Sequence, residues 1–167
     1  DSVDLRKHKG AFNKAEIVRE YIADLFESYQ LDQESTHGWG ESRFPIEKVY
    51  IEQPFTFFNS GGSTAKTMAT LQRFNGIISW LIYEMFQIEP QYVSATSARK
   101  QCGIKVPRGT KAKSYVLEHL LKTEPAFKIE YTKYNNPKPE SYDRADAIVV
   151  AKAGWKIEQE KKVDTAS

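Results

Sequence analysis

Val49-Tyr50-Ile51 runs straight into Glu52-Gln53-Pro54, and this junction constrains the chain more than any other stretch. A short apolar run bounded by turn signals, taken from Lys48, reads as a buried strand over 48–52. Packing alone gives no reason to end such a strand in glutamate, because an ionised carboxylate is costly to desolvate without a partner. In open α/β sheets, chemistry collects beyond the carboxyl ends of strands. Glu52 is therefore a candidate active-site acid, provided the chain supplies companions.

The rest of the chain alternates helix and strand patterns. Ser2–Leu5 resembles the end of a strand. A helical period runs from Phe12 to Tyr29 with Asn13 as N-cap, placing Ala15, Val18, Ile22, Leu25 and Phe26 on one face. Segment 31–45, with two glycines and a proline, reads as an inserted surface loop. A long helix is expected over 64–86 behind an N-cap at Ser63, and a second core strand at Tyr92-Val93-Ser94. A helical turn follows at Ser97–Lys100, then a helix over 111–121. Segment 123–140, with three prolines, reads as irregular apart from an extended piece at Lys128–Tyr131. The last helix is expected over 141–155, with 156–167 a charged tail that frays. Alternating elements make this an α/β fold in one domain, 1–155, with part of its sheet parallel.

Bulk properties exclude several classes. A net charge of +2 over 167 residues gives no global field, so any basic surface is local. One cysteine, Cys102, excludes an internal disulfide framework and fits a reducing compartment. Three scattered histidines offer no zinc pattern. No apolar run spans a membrane. The expected location is cytoplasmic or nucleoid-associated.

Three groups of residues bear chemistry. Asp143 and Asp146 lie three apart on the last expected helix, so their carboxylates share a face. Acids at a helix start also offset the macrodipole, which is the competing explanation. The alanine- and valine-rich sequence after them argues for a buried helix with its acids at a cleft edge. Two such carboxylates facing Glu52 make a hard, oxygen-rich donor set suited to Mg²⁺ or Mn²⁺. The second group is basic: Arg99, Lys100, Lys105, Arg108, Lys111 and Lys113 fall within fifteen positions that contain no acid. A charge run is usually a solvated face. Here Gly103, Pro107 and Gly109 loosen the segment, and the concentration of charge in a near-neutral chain fits phosphate-backbone contact. The third is Phe55-Thr56-Phe57-Phe58, whose three rings cannot all face inward from a loop. An exposed ring there suits stacking on unpaired bases.

Gly61-Gly62-Ser63-Thr64-Ala65-Lys66-Thr67 superficially resembles a phosphate-binding loop. That motif needs glycines where this chain has Ser60 and Ala65, so an NTPase is not favoured. No Gly-x-Ser-x-Gly elbow is present either.

Together these residues resemble the RuvC family of Holliday junction resolvases, within the RNase H-like superfamily, over about 3–154. Ile51-Glu52-Gln53 matches that family's strand-ending Ile-Glu-Gln, and Asp143 to Ala147 matches its Asp-x-x-Asp-Ala helix opening. The resemblance implies an RNase H-like fold, with a mixed central sheet flanked by helices. It implies an endonuclease that resolves four-way DNA junctions with paired nicks. Glu52, Asp143 and Asp146 are then the catalytic ligands of two Mg²⁺ or Mn²⁺ ions about 3.5–4 Å apart. Phe55 stacks on opened bases, and Lys100 and Lys113 hold DNA backbone with Lys105, Arg108 and Lys111 as neighbours. The helix over 64–86 is the homodimer contact. The family places a first catalytic aspartate on an opening strand. This chain is expected to start at the third strand, so it is read as N-terminally incomplete, with Asp4 as the nearest substitute. A junction-binding module without catalysis and another RNase H-like nuclease, acting on RNA–DNA hybrids, are the alternatives.

Overall fold

A computed structural model describes residues 2–37, 46–54 and 65–165. Its elements are α1 (Ala11–His37), β1 (Tyr50–Glu52), α2 (Ala65–Phe86), β2 (Gln91–Val93), α3 (Ala95–Gln101), α4 (Ala112–Thr123) and α5 (Pro139–Thr165). The α/β class stands, but the chain is mainly helical. Among the described residues the sheet has only two strands, β1 and β2, which are parallel. Tyr50, Ile51 and Glu52 pair with Gln91, Tyr92 and Val93, and the Gln53 amide donates to the Val93 carbonyl at 3.0 Å.

The chain divides into two compact units. One comprises 50–53 and 91–167 with the first two residues, and holds both strands and helices α3, α4 and α5. Its core is built on α5. Ser141, Ala145, Val149, Val150, Ala153 and Gly154 are buried, steps of three and four that set one stripe of the helix inward. Their small size brings the backbone close to its neighbours. Val93 from β2, Ala98 from α3, Val116, Leu117 and Leu120 from α4, and Ile104 and Phe127 from the loops complete the cluster. A Cβ built on Gly154 would lie 2.3 Å from the Tyr50 ring. Glycine is thus what lets β1 lie flat against α5. The Tyr50 hydroxyl then donates to Glu158 Oε1 at 2.6 Å.

The second unit comprises 3–49 and 54–90 and pairs α1 with α2. Ala15, Leu81 and Ile82 are buried, the Phe26 and Phe86 rings meet at 5.8 Å, and Arg19 Nη2 donates to Glu84 Oε2 at 2.5 Å.

Several sequence expectations are corrected. Ser2–Leu5 is not a strand. Asn13 does not cap α1, which begins two residues earlier, after Gly10 at φ 83°. Its amide donates back to the Lys9 carbonyl at 3.4 Å instead. Residues 31–37, expected as loop, continue α1, because Gln, Asp and Glu tolerate a helix and the first glycine comes only at Gly38; 38–45 lie outside the described residues. The expected fraying tail is helical to Thr165. Gln101 and Lys156 explain part of that extension. Gln101 Nε2 donates to Glu160 Oε1 at 2.6 Å, and Lys156 Nζ donates to the Gln101 carbonyl at 3.3 Å.

Candidate functional site: an acid cluster threaded by lysine

Glu52 ends β1, and the register places it beside Val93, the last residue of β2. Ser94 follows and caps α3, its hydroxyl accepting from the Ser97 amide at 3.1 Å. At the other end of α3, the Gly103 amide donates to the Lys100 carbonyl and the Ile104 amide to the Arg99 carbonyl. Gly103 sits at φ 73°, so α3 closes in a Schellman motif. A helix fixed at both ends presents Arg99 and Lys100 from a rigid base.

Asp143 and Asp146 come from α5. The helix starts at Pro139, and Glu140 is the only acid in its first turn. Both aspartates therefore lie beyond the turn where the macrodipole acts, which removes the competing explanation for them. Asp146 is 15% exposed at its side chain and Asp143 74%. From α4, Lys113 reaches across to both. Its Nζ donates to Asp143 Oδ1 at 3.0 Å and stands 3.7 Å from Asp146 Oδ2.

These groups feel one another. Glu52 is exposed and its strand only half-buried, contrary to the buried strand expected from sequence. Partial desolvation of its carboxyl still raises it above its usual range, and the Asp146 and Asp143 charges push it further. Lys113 and Arg99 oppose them without cancelling the rise. Burial likewise raises Asp146, with Lys113 and Arg99 against it and Asp143 for it. Burial disfavours the Lys113 ammonium, yet its hydrogen bond to Asp143 and the charges of Asp143, Asp146 and Glu52 hold its pKa above the ordinary value. Carboxylates kept near one another at a strand end, against their own ionisation, are a common signature of functional acids.

The three acids named from sequence are thus brought into one electrostatic neighbourhood. Lys113, expected among the phosphate-holding residues, instead bridges two of them. Among the described residues, no group of three or more acids, histidines or cysteines is set to hold a metal ion, and the lysine ammonium supplies the positive charge between Asp143 and Asp146. Lys100, Lys105, Arg108 and Lys111 are exposed. Arg108 sits at the corner of a turn in which the Thr110 amide donates to the Pro107 carbonyl and Gly109 takes φ 82°, the positive φ a type II turn requires. Phe55 lies outside the described residues, as do Ser63 and the glycines of the phosphate-loop lookalike. Asp4 belongs to the other unit and is clasped by Arg6, whose Nε and Nη2 donate to its two oxygens at 2.9 and 3.0 Å. Those hydrogen bonds lower the Asp4 carboxyl to about 2. Arg99, named in sequence only as one of the basic run, proves to act on the acids: its charge opposes the rise of both Glu52 and Asp146.

Comparison with family models, curated proteins and solved structures returns no match for this chain. No helix among the described residues is long and apolar enough to cross a membrane.

Proposed function

We propose that this chain is a divalent-metal-dependent endonuclease of RNase H-like type that acts on branched DNA, in particular the four-way junction. The observation that supports the reading is the electrostatic coupling of Glu52, at the end of β1, with Asp143 and Asp146 on α5, with exposed cations on the adjoining segment. Carboxylates are hard oxygen ligands of the kind Mg²⁺ and Mn²⁺ prefer, and a divalent ion would relieve the repulsion that helps raise Glu52 and Asp146. As they stand the three acids are not grouped as a metal site, so binding would require them to draw together as Lys113 withdraws. Such ions supply an activated water and charge neutralisation at the scissile phosphate. Glu52, Asp143 and Asp146 would hold them.

The protein's own residues do the rest. Lys113 bridges Asp143 and Asp146 and would have to release them for them to serve as ligands. Lys100, Lys105, Arg108 and Lys111 offer separate cations for backbone phosphates. Trp80 and Tyr83, three apart on one face of α2 with their rings 6.1 Å apart, are exposed and support the reading of that helix as a contact between two copies, whose two-fold symmetry suits paired nicks.

Substitution tests the assignment. Glu52→Gln and Asp146→Asn should each reduce cleavage of a labelled four-way junction in Mg²⁺ by at least about a hundredfold, with junction affinity within about threefold of wild type. Cleavage at the wild-type rate by both variants would sink it. A second reading, a junction-binding module without catalysis, is favoured by the Lys113 bridge, because an ammonium between Asp143 and Asp146 is a stable substitute for a metal. Tight junction binding with no product in Mg²⁺ or Mn²⁺ would decide for it.

A further inference from the structure

Residues 128–138, between α4 and α5, form a small hairpin. Tyr131 bridges antiparallel to Pro137, and the Lys138 amide donates to the Glu130 carbonyl at 3.0 Å. At the tip, the Asn135 amide donates to the Thr132 carbonyl at 2.9 Å and the Thr132 amide to the Asn136 carbonyl at 2.8 Å. Asn135 takes φ 58°, a left-handed conformation that asparagine tolerates better than most residues. This is the three-residue hairpin loop built on a turn closed by a left-handed residue. The Thr132 hydroxyl accepts from the Tyr134 and Asn136 amides at 3.4 and 3.3 Å. The loop is therefore held by its own backbone and the Thr132 hydroxyl, which leaves exposed side chains free of that task.

Those side chains are Lys133, Tyr134 and, on the arm, Tyr131. Tyr134 is 74% exposed and Tyr131 50%, so neither contributes a full ring to the core. Lys133 Nζ stands 4.9 Å above the Tyr134 ring. Lys128, Lys133 and Lys138 against Glu130 leave the hairpin with a net charge of +2. Single exposed tyrosines are ordinary. Two on a pre-ordered basic loop are a less ordinary combination, and the loop's position adds to it. Lys138 directly precedes α5, and Arg144, next to Asp143, lies 5.5 Å from the ring centre of Phe127 at the hairpin's foot. The hairpin is thus anchored to the helix that carries two of the acids.

We infer that this hairpin is a stacking platform for unpaired DNA bases, with Tyr134 and Tyr131 supplying ring faces and Lys133 and Lys128 supplying charge for the flanking phosphates. The inference rests on the nuclease reading for its choice of DNA. Aromatic faces accept any base, and an ordered loop loses little freedom on binding.

The test uses the full chain, a fluorescein-labelled oligo-dT strand and a blunt duplex of equal length, read by anisotropy. Tyr134→Ala and Tyr131→Ala should each weaken oligo-dT binding roughly tenfold, while duplex affinity changes by less than about twofold. Tyr134→Phe and Tyr131→Phe, which keep the ring, should bind oligo-dT like wild type. Thermal melting by circular dichroism confirms that each variant is folded. Unchanged oligo-dT affinity in both alanine variants, or an equal loss on duplex, overturns the inference. So does a wild-type chain that prefers duplex to unpaired bases. A chain that cuts junctions but shows no tyrosine dependence refutes the platform alone. One that binds oligo-dT through the tyrosines but cuts nothing refutes the nuclease reading alone.

Discussion

At Asp146 the chain holds a carboxylate where burial and Asp143 disfavour its charge and Lys113 and Arg99 only partly compensate. Its folded pKa lies above the unfolded one, so the native state takes up that proton more readily. The linkage sign follows: the penalty is absent below the ordinary carboxylate value and fully present above the raised folded value, so stability falls as pH rises through that window. Glu52 acts in the same direction. Asp146→Asn should therefore stabilise the protein at neutral pH, seen as a higher melting temperature than wild type. The gain should vanish at pH 3. Melting curves of wild type and variant across that range measure it; a variant less stable at pH 7 would contradict the electrostatic account. A stability gain from removing an acid is what a site kept for function leads one to expect.

Helix α5 does most of the positioning among the elements. Its stripe of small residues seats α3 and α4, and Gly154 admits the Tyr50 ring. Burial, with the hydrogen bond to Glu158, pushes the Tyr50 pKa up to about 12. Gly154→Ala must displace Tyr50 and with it the strand ending in Glu52. The expected cost is about 1–3 kcal/mol in urea unfolding, accompanied by a larger loss of junction cleavage than stability alone explains. An alanine variant as stable as wild type would show that β1 does not depend on this contact. Much at this scale was legible beforehand. The 3.6-residue period gave α2 and α4 nearly to the residue, and the strand expected over 48–52 contains β1, which is shorter and less buried than expected. The ends were harder. Asn13 looked like a cap because cap preference is a local signal, whereas α1 begins after the positive-φ Gly10. The last turns of α5 were missed because Gln101, Glu160 and Lys156 meet only in three dimensions.

Across the whole molecule, the two compact units have different characters. One has a continuous core under the strand pair and carries every described candidate site residue; the other is a helix pair with exposed aromatic side chains on α2. Sequence spacing was enough to nominate Glu52, Asp143 and Asp146, because acids beside apolar runs are chemically conspicuous. It could not reveal that Lys113 sits between two of them, since 30 residues separate Lys113 from Asp143. The same limit kept the influence of Arg99 on Glu52 and Asp146 out of reach. The basic run therefore divides by surroundings: Lys113 and Arg99 partly offset the acids, whereas Lys100, Lys105, Arg108 and Lys111 are exposed. The central claim is that this acid cluster cuts branched DNA with a divalent ion. The most direct measurement incubates the full chain with an end-labelled four-way junction, a matched linear duplex and an RNA–DNA hybrid, each in Mg²⁺ and in EDTA. The account predicts cuts near the branch point of the junction in Mg²⁺ alone. Equal product in EDTA, preferential cutting of the hybrid, or no product from the junction in Mg²⁺ would contradict it.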